Sequence, residues 1–244
     1  MTELYINNNI NNLDNCDFLS ITKLRINAPT YINKLLNKLD KFTNLQELYL
    51  YDNQITEIKG LDKLVNLEKL YLNSNHITEI KGLDKLINLK ELHLNDNQIT
   101  EIKGLDKLIN LKELNLYGNQ ISEIKGLDKL INLKELYLIC NQITEIKGLD
   151  KLINLKELYL ICNKITEIKG LNNLLDLKIL DLNNNNINEL PISLCNLKNI
   201  CFISYYGNPI EYISSPVQKW LDKLSNTSYN NMNYNDNQNI QNSL

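Results

Sequence analysis

The chain has 244 residues and a formal net charge of −3 at pH 7, so overall charge does not favour nucleic acid or an anionic membrane as partner. Mean hydropathy is −0.30, and no run approaches the roughly 18 apolar residues of a membrane span, which excludes a transmembrane helix. The segment MTELYINNNINNLDN lacks the basic start and apolar core of a secretory signal, so we expect an intracellular, cytoplasmic protein.

The chain begins with two short strand patterns and one helical pattern. Leu4 and Ile6, and then Leu24 and Ile26, are spaced by two, as the inward side chains of a strand are. After Thr30, a candidate N-cap, apolar residues at 32, 35, 36, 39 and 42 follow helical spacing. We interpret this region as degenerate repeats with a helical cap, because terminal repeats must close an otherwise open apolar edge.

The central part of the chain repeats one 22-residue unit six times without an insertion. The copies begin at Leu45, Leu67, Leu89, Leu111, Leu133 and Leu155. Within each copy, apolar residues occupy positions 1, 4, 6, 11, 14, 17 and 20. The step of two predicts a short strand at positions 3 to 7, and the later steps of three favour a 3₁₀-like or extended return over an α-helix. A fixed period of this size is typical of a solenoid.

Two further columns of the repeat have structural interpretations. Asparagine occupies position 9, where an inward amide can pair with buried backbone groups of the turn. Glycine occupies position 16, where we expect a positive φ or a close approach between coils. The asparagines are Asn53, Asn75, Asn97, Asn119, Asn141 and Asn163, and the glycines are Gly60, Gly82, Gly104, Gly126, Gly148 and Gly170.

After the regular copies, the chain continues with a modified repeat, a last strand and a helical pattern. Ser215 and Pro216 suit N-cap and first helical positions, and Val217, Trp220 and Leu221 fall on one helical face with the tryptophan as anchor. The predicted organisation is 1–44 degenerate amino-terminal repeats and cap, 45–176 six regular repeats, 177–210 two atypical repeats, 211–224 capping helix, and 225–244 Asn-rich disordered tail.

The consensus LxxLxLxxNxIxxIxxLxxLxx resembles the SDS22-like class of leucine-rich repeat. The resemblance covers all six regular copies and, more weakly, the flanking ones. It implies an α/β fold, a leucine-rich-repeat solenoid with a curved, concave parallel β-sheet, convex 3₁₀ or extended segments and short helical caps. It also implies a role in protein binding, although a fold alone does not define a partner.

The expected concave face is where the copies differ most. Strand side chains that do not point inward are at positions 3, 5 and 7, with position 8 at the rim. Tyrosine is common there, and it is a frequent interface residue. The glutamate column favours a protein partner with a basic surface. The candidate partner-binding residues are Glu47, Tyr49, Tyr51, Tyr71, Glu91, His93, Glu113, Tyr117, Glu135, Tyr137, Ile139, Glu157, Tyr159 and Ile161.

No catalytic, cofactor or metal constellation is apparent in the sequence. His76 and His93 fall at different repeat positions without ligand-like spacing, so we interpret both as surface variants. The five cysteines form an odd, widely spaced set without a Cys-x-x-Cys pair, which indicates reduced thiols. Cys140 and Cys162 are expected about 5 Å apart in adjacent coils, where duplication explains both. We therefore predict a non-enzyme without a cofactor.

The alternatives concern the partner rather than the fold. Lys198, Ile200 and Phe202 form a loose version of a phosphatase-1 docking motif, so a phosphatase-regulating role like that of sds22 is one alternative. Its difficulty is that Ile200 is predicted to be buried in a strand. A repeat expansion without a dedicated partner is another. The lysines of positions 15 and 19 alternate with acids and indicate a solvated convex surface, so we expect a monomer that binds neither nucleic acid nor membrane.

Overall fold

The computed structural model describes residues 2–7 and 16–228, with side chains up to residue 225. Ten parallel strands form one sheet in which each strand pairs with its neighbours in chain order. The strands are β1 Thr2–Ile6, β2 Ile21–Ile26, β3 Glu47–Tyr49, β4 Lys69–Tyr71, β5 Glu91–His93, β6 Glu113–Asn115, β7 Glu135–Tyr137, β8 Glu157–Tyr159, β9 Ile179–Asp181 and β10 Phe202–Ser204. Each coil of the chain adds one strand, so the molecule is a solenoid, as the 22-residue period predicts.

The regular strands are shorter than the sequence predicts. They cover positions 3 to 5 of each copy, whereas the apolar spacing predicts positions 3 to 7. Backbone hydrogen bonding continues to position 8, because the Leu50 amide donates to the Tyr71 carbonyl at 2.8 Å and the Asp52 amide donates to the Asn73 carbonyl at 3.3 Å. The chain then leaves the sheet at position 8, where Asp52 and its equivalents adopt a left-handed backbone, with φ of 56° at Asp52. The pairing between coils therefore extends through the predicted positions 3 to 7, although the regular strand is shorter.

The core is one continuous stack of leucine and isoleucine. All seven apolar columns are buried in every regular copy, with exposures between 0% and 5%. On the return leg, the Leu130 amide donates to Leu127 at 2.9 Å and the Leu133 amide donates to Leu130 at 3.0 Å. These i to i+3 bonds form 3₁₀-type turns, so the predicted 3₁₀-like return leg is confirmed.

The position 9 asparagines form a buried ladder between coils. The Asn119 amide nitrogen lies 3.0 Å from the Leu94 carbonyl, 3.1 Å from Leu116 and 3.2 Å from Tyr117. Its side-chain oxygen accepts from the Ile99 amide at 2.9 Å. One side chain therefore pairs with backbone groups of two successive coils, which confirms the predicted structural role of this column.

A second asparagine ladder, at position 22, is not anticipated by the sequence reasoning. Asn110 donates to the Ile87 carbonyl at 2.8 Å, and Asn132 donates to the Ile109 carbonyl at 2.9 Å. These bonds are exposed, unlike those of the position 9 ladder. They join the tips of successive turns along one edge of the solenoid.

Position 16 combines both expected properties of glycine. Gly126 has φ of 80°, and a Cβ there would lie 2.3 Å from the Ile102 carbonyl oxygen of the preceding coil. Gly118, at position 8, is different: its φ is 64°, but Asp96 and Cys140 adopt φ of 54° and 51° at the same position. A side chain is therefore tolerated at position 8 and excluded at position 16.

The amino-terminal cap differs in detail from the prediction. Helix α1 spans Ile32–Leu36 and is followed by a 3₁₀ segment, Leu39–Lys41. The predicted N-cap, Thr30, is wrong: the N-cap is Tyr31, which makes no side-chain capping bond. Thr30 lies inside a turn closed by the Tyr31 amide and the Ala28 carbonyl at 2.9 Å, so the chain is still turning there.

The carboxy-terminal helix, α2, spans Ser215–Ser228. Ser215 is already helical, and the Gln218 amide donates to the Ser214 carbonyl at 2.9 Å, so the assignment of Ser215 as N-cap is wrong by one residue. Residues 225–228, assigned to the disordered tail, are also helical, while 229–244 lie outside the described residues. Val217 is fully buried and Trp220 only partly, so valine is the deeper anchor.

The two asparagine ladders provide a matched stability test. We expect Asn119→Ala to destabilise the fold by about 3 kcal/mol, because it leaves buried carbonyls and an amide without partners. Asn110→Ala removes an exposed bond and should cost less than about 1 kcal/mol, because water replaces the lost donor. Urea unfolding followed by circular dichroism measures both. Equal midpoints for the two variants would contradict the assigned role of the buried ladder.

The glycines provide a second test. Gly126→Ala should destabilise the protein by more than about 2 kcal/mol, because the new Cβ meets a backbone oxygen in a left-handed conformation. Gly118→Asn is the control, since Asn184 has φ of 54° at the equivalent position and only the Asp96 side chain has to move. Thermal unfolding should place Gly118→Asn near the parent protein and Gly126→Ala well below it.

Candidate interaction surface

The sheet presents two regular side-chain columns on the face opposite the core. Adjacent strands pair in register, so that Glu91 lies opposite Glu113, and His93 opposite Asn115. The same register holds from β3 to β9. Because alternate residues of a strand point to the same side, positions 3 and 5 form two parallel rows. Successive members of each row, one per coil, are about 4.8 Å apart. We call this surface the concave face.

Aromatic rings of position 5 stack along the concave face in two groups. Tyr49 and Tyr71 lie 4.5 Å apart and nearly parallel, and Tyr71 is 4.5 Å from the His93 ring. Tyr137 and Tyr159 form the second group at 4.8 Å. The first group is extended by the Arg25 guanidinium, 4.1 Å from the centre of the Tyr49 ring. Each of these rings therefore packs against a ring on the adjacent coil, in the geometry that aromatic pairs prefer.

Hydroxyl groups of the tyrosines are tied to the glutamate row. The Tyr49 hydroxyl donates to Glu47 at 2.7 Å, and the Tyr71 hydroxyl donates to Glu91 at 2.9 Å. In the second group, Tyr137 donates to Glu135 at 3.1 Å and Tyr159 donates to Glu157 at 2.9 Å. Burial, and then the bonded Glu47 carboxylate, raise the pKa of Tyr49 to about 12. Tyr49 therefore remains a neutral donor to a higher pH than an ordinary tyrosine does.

The amino-terminal half of the glutamate row is neutralised by basic side chains. Lys23 lies 3.4 Å from Glu47, and Lys69 lies 2.9 Å from Glu91. Arg25 donates to Glu3 at 2.7 Å. Sequence reasoning missed Lys23 and Arg25, because they belong to a degenerate copy. Their spacing within the strand pattern of that copy could have placed them on the same face as Glu47 and Tyr49.

The carboxy-terminal half of the row keeps its negative charge. Among the described residues, no lysine or arginine lies within 4.0 Å of Glu113, Glu135 or Glu157, which follow one another in register. Burial, and then the charges of Glu157 and Glu113, raise the pKa of Glu135. Burial also raises the pKa of Asp181, which lies at the end of β9 and pairs in register with Tyr159. Unneutralised carboxylates are thus concentrated over β6 to β9.

Two of the fourteen predicted contact residues are almost fully buried. Tyr159 is 5% exposed and Ile139 is 6% exposed, so each offers little surface to a partner. Tyr159 is covered by the stacked Tyr137 ring. Ile139 lies between the position 7 residues of adjacent coils, Tyr117 and Ile161. The other twelve are half-buried and lie on the face.

His93 has neighbours that its sequence position does not reveal. Its Nε2 lies 3.1 Å from Glu113, and ligand atoms of Glu91, His93 and Glu113 all lie within 4.8 Å of one another, a set that could hold a metal ion. The three come from two adjacent coils, so linear spacing does not show them. Glu91 already binds Lys69 and Tyr71, so a cation would have to displace an ammonium group.

The paired cysteines lie at the rim of the face. All five cysteines of the chain are free thiols, and Cys162 is exposed while Cys140 is half-buried. Burial, and then the neighbouring Cys162, raise the pKa of the Cys140 thiol to about 11. Cys140 is therefore protonated at neutral pH and a poor nucleophile.

Comparison with known proteins places this architecture in a family. Models described as leucine-rich repeats match residues 43–85, 87–129, 131–173 and 176–197, which is more than half of the chain. The protein belongs to the leucine-rich-repeat family, whose solenoids generally serve as non-enzymatic protein-interaction modules. No curated protein sequence matches the chain significantly. The SDS22-like subclass has no named relative in support.

Solved structures of similar fold include two internalins from Listeria monocytogenes strain 4b F2365. Internalin InlF matches with a TM-score of 0.68 and 24% identity over 84% of this chain, which spans 64% of that internalin and shows the fold alone. Internalin C2 matches with a TM-score of 0.64 and 32% identity, covering 72% of this chain and 74% of that one.

A plant receptor also has this fold. The ectodomain of the Arabidopsis thaliana receptor kinase GASSHO1/SCHENGEN3, in complex with Casparian strip integrity factor 2, matches with a TM-score of 0.62 and 28% identity. The match covers 76% of this chain and 23% of the ectodomain. Within the described part of this chain, no helix has the length and apolar character needed to cross a bilayer.

Repulsion within the glutamate row is measurable. A raised carboxyl pKa means that the folded state holds the proton more tightly than the unfolded state, so the ionised Glu135 lowers stability at neutral pH and not below its unfolded pKa. We expect Glu135→Gln to stabilise the fold by about 0.5 kcal/mol at pH 7, since like charges opposite one another are destabilising. The gain should disappear as the pH falls toward 4. Thermal midpoints across pH measure it; a constant or inverted difference would contradict the repulsion.

Proposed function

We propose that this protein binds a protein partner on its concave face, and that the partner presents lysine or arginine to the carboxylates over β6 to β9. The observation that carries the proposal is the run of Glu113, Glu135 and Glu157, which has no lysine or arginine within 4.0 Å in the described part of the chain, beside Tyr137, which stacks on the buried Tyr159. Such a surface provides charge for orientation and aromatic area for contact. Compared with the fourteen-residue site predicted from the sequence, the proposed binding site is limited to the carboxy-terminal half of the concave face.

The contacts that hold the tyrosine side chains in place support this proposal. Each of the four tyrosines in the two stacks packs against a ring neighbour and also donates to a glutamate. A surface whose side chains are already ordered loses little conformational entropy when a partner binds. The raised pKa of Glu135 adds a second contribution, because a partner's ammonium or guanidinium would relieve the repulsion within the row.

The dimensions suit an extended or loop segment of a protein. Four coils from β6 to β9 span about 15 Å at the usual strand spacing, which is the length of roughly four or five extended residues. The Arabidopsis ectodomain of similar fold was solved in complex with a protein factor, which supports polypeptide binding by this class of solenoid. The free thiols are compatible with an intracellular setting, which remains part of the proposal.

The phosphatase-regulator alternative receives no support from a specific contact. Its candidate docking motif includes Ile200, which is 5% exposed, and Phe202, which begins strand β10. A docking peptide has to extend onto the partner, whereas these residues close the last coil of the solenoid. Co-purification of a phosphatase-1 catalytic subunit with the intact protein would be needed to favour this role.

Charge reversal with a matched control tests the concave proposal. The concave variant carries Glu113→Lys, Glu135→Lys and Glu157→Lys, and the convex variant carries Glu101→Lys, Glu123→Lys and Glu145→Lys, with the same change in net charge. Proteins captured by each variant from the source cells are quantified by mass spectrometry. We expect at least one basic partner to be retained by the parent and the convex variant and to fall by about a hundredfold with the concave variant, since three charge contacts are lost.

Direct contact is tested separately with a photo-cross-linking residue. Placed at Tyr137, it should join the same partner, whereas the same residue at the convex Thr144 should not. A partner that survives the concave reversal, or cross-links only from the convex side, would show that recognition lies elsewhere on the solenoid.

A further inference from the structure

A basic row runs along the edge of the sheet where the strands begin. Position 2 of five successive coils is lysine, namely Lys90, Lys112, Lys134, Lys156 and Lys178. Because the strands are parallel and in register, these residues follow one another at about 4.8 Å per coil and span roughly 19 Å. We call this the lysine row.

Most of the lysine row is not neutralised. Lys90 lies 2.7 Å from Glu68, but among the described residues no carboxylate is within 4.0 Å of the ammonium groups of Lys112, Lys134 or Lys156. On the convex side, by contrast, Lys103, Lys125 and Lys147 each contact a glutamate. Like charges at this spacing repel one another, so an anion bound along the lysine row would relieve the repulsion.

A row of exposed aliphatic side chains lies beside the lysine row. Position 21 is a branched aliphatic residue in six successive coils, at the tip of the turn that leads into the strand. Its members are 45–57% exposed and are Val65, Ile87, Ile109, Ile131, Ile153 and Leu175. Six apolar side chains in register form a continuous exposed stripe rather than scattered contacts, and such stripes mark interaction surfaces. We call this the aliphatic row.

Asparagines separate the two rows and line a groove. Asn110 and Asn132 of position 22 contribute to it together with Lys112 and Lys134. Each asparagine donates to a carbonyl of the preceding turn tip, as Asn132 does to Ile109 at 2.9 Å, so the backbone of the edge is fixed. The turn residues on the convex side of the aliphatic row, such as Asp128 and Lys129, carry opposite charges that cancel. The net charge of the edge is therefore that of the lysine row.

We propose that this edge of the solenoid is a docking surface for an anionic lipid bilayer, with the lysine row against the headgroups and the aliphatic row against the acyl boundary. Lysines beside branched aliphatics are the chemistry of surfaces that lie on membranes without crossing them. The edge is also uniform from coil to coil, unlike the variable concave face. A uniform edge suits a bilayer, because a bilayer surface presents the same headgroups repeatedly. This surface is separate from the concave face, so one molecule could hold its protein partner at a membrane.

Vesicle flotation with the intact chain tests the inference. At about 50 mM NaCl we expect the protein to float with vesicles of phosphatidylcholine and 30% phosphatidylserine, and not with phosphatidylcholine alone; about 500 mM NaCl should release it, since salt screens the lysines. An edge variant with Lys112→Glu, Lys134→Glu and Lys156→Glu should partition about a hundredfold less, because each lysine near an anionic surface contributes about fivefold.

The controls separate charge from apolar contact and from misfolding. Lys103→Glu, Lys125→Glu and Lys147→Glu change net charge equally on the convex face and should leave flotation within about twofold of the parent, because the convex face does not meet the bilayer. Ile109→Asn, Ile131→Asn and Ile153→Asn should reduce flotation by about tenfold without altering the circular dichroism spectrum.

Three results would overturn the inference. One is a parent protein that does not float with the phosphatidylserine vesicles, and another is equal loss in the edge and convex variants. The third is lysine-dependent binding to soluble poly-L-glutamate without vesicle binding, which would assign the edge to an acidic protein segment instead.

Discussion

Backbone pairing between coils is the constraint on which the whole molecule depends. A coil of 22 residues contains a strand of three, so most of its amides and carbonyls lie outside the sheet. The position 9 asparagine meets this need, because its amide and oxygen pair with buried groups of its own coil and of the preceding one. Only with these groups satisfied can the leucine and isoleucine columns be removed from water without a large polar cost.

The same constraint explains why the surfaces of this protein are arranged in rows. Coils of equal length stack in register, so every position of the repeat recurs about 4.8 Å further along the sheet. When a charged or aromatic residue recurs in every coil, its copies form a charged or aromatic row on the surface. The glutamate row, the stacked Tyr137 and Tyr159 rings and the lysine row all result from this stacking in register. Their properties, such as the raised pKa of Glu135, belong to the row and not to the single repeat.

Rows on different faces can serve different partners. The concave face combines carboxylates with stacked rings, whereas the edge where the strands begin combines the lysine row with the aliphatic row. The chain's net charge of −3 conceals this division, since opposite charges sit on separate surfaces. The fold permits such separation because Lys134 and Glu135 lie outside the buried columns.

The sequence by itself determined the solenoid, the buried columns, the asparagine ladder and the glycine column, because each follows from a period of 22 and from the local chemistry of one position. It determined the terminal helices less well: Thr30 and Ser215 were misplaced as caps, since helix ends depend on turns that propensity does not resolve. Only the tertiary structure decided which surface side chains are available. Burial of Tyr159 and Ile139, neutralisation of Glu91 by Lys69, and the unneutralised Lys134 all depend on neighbours one coil away, and linear order does not show which of these groups touch.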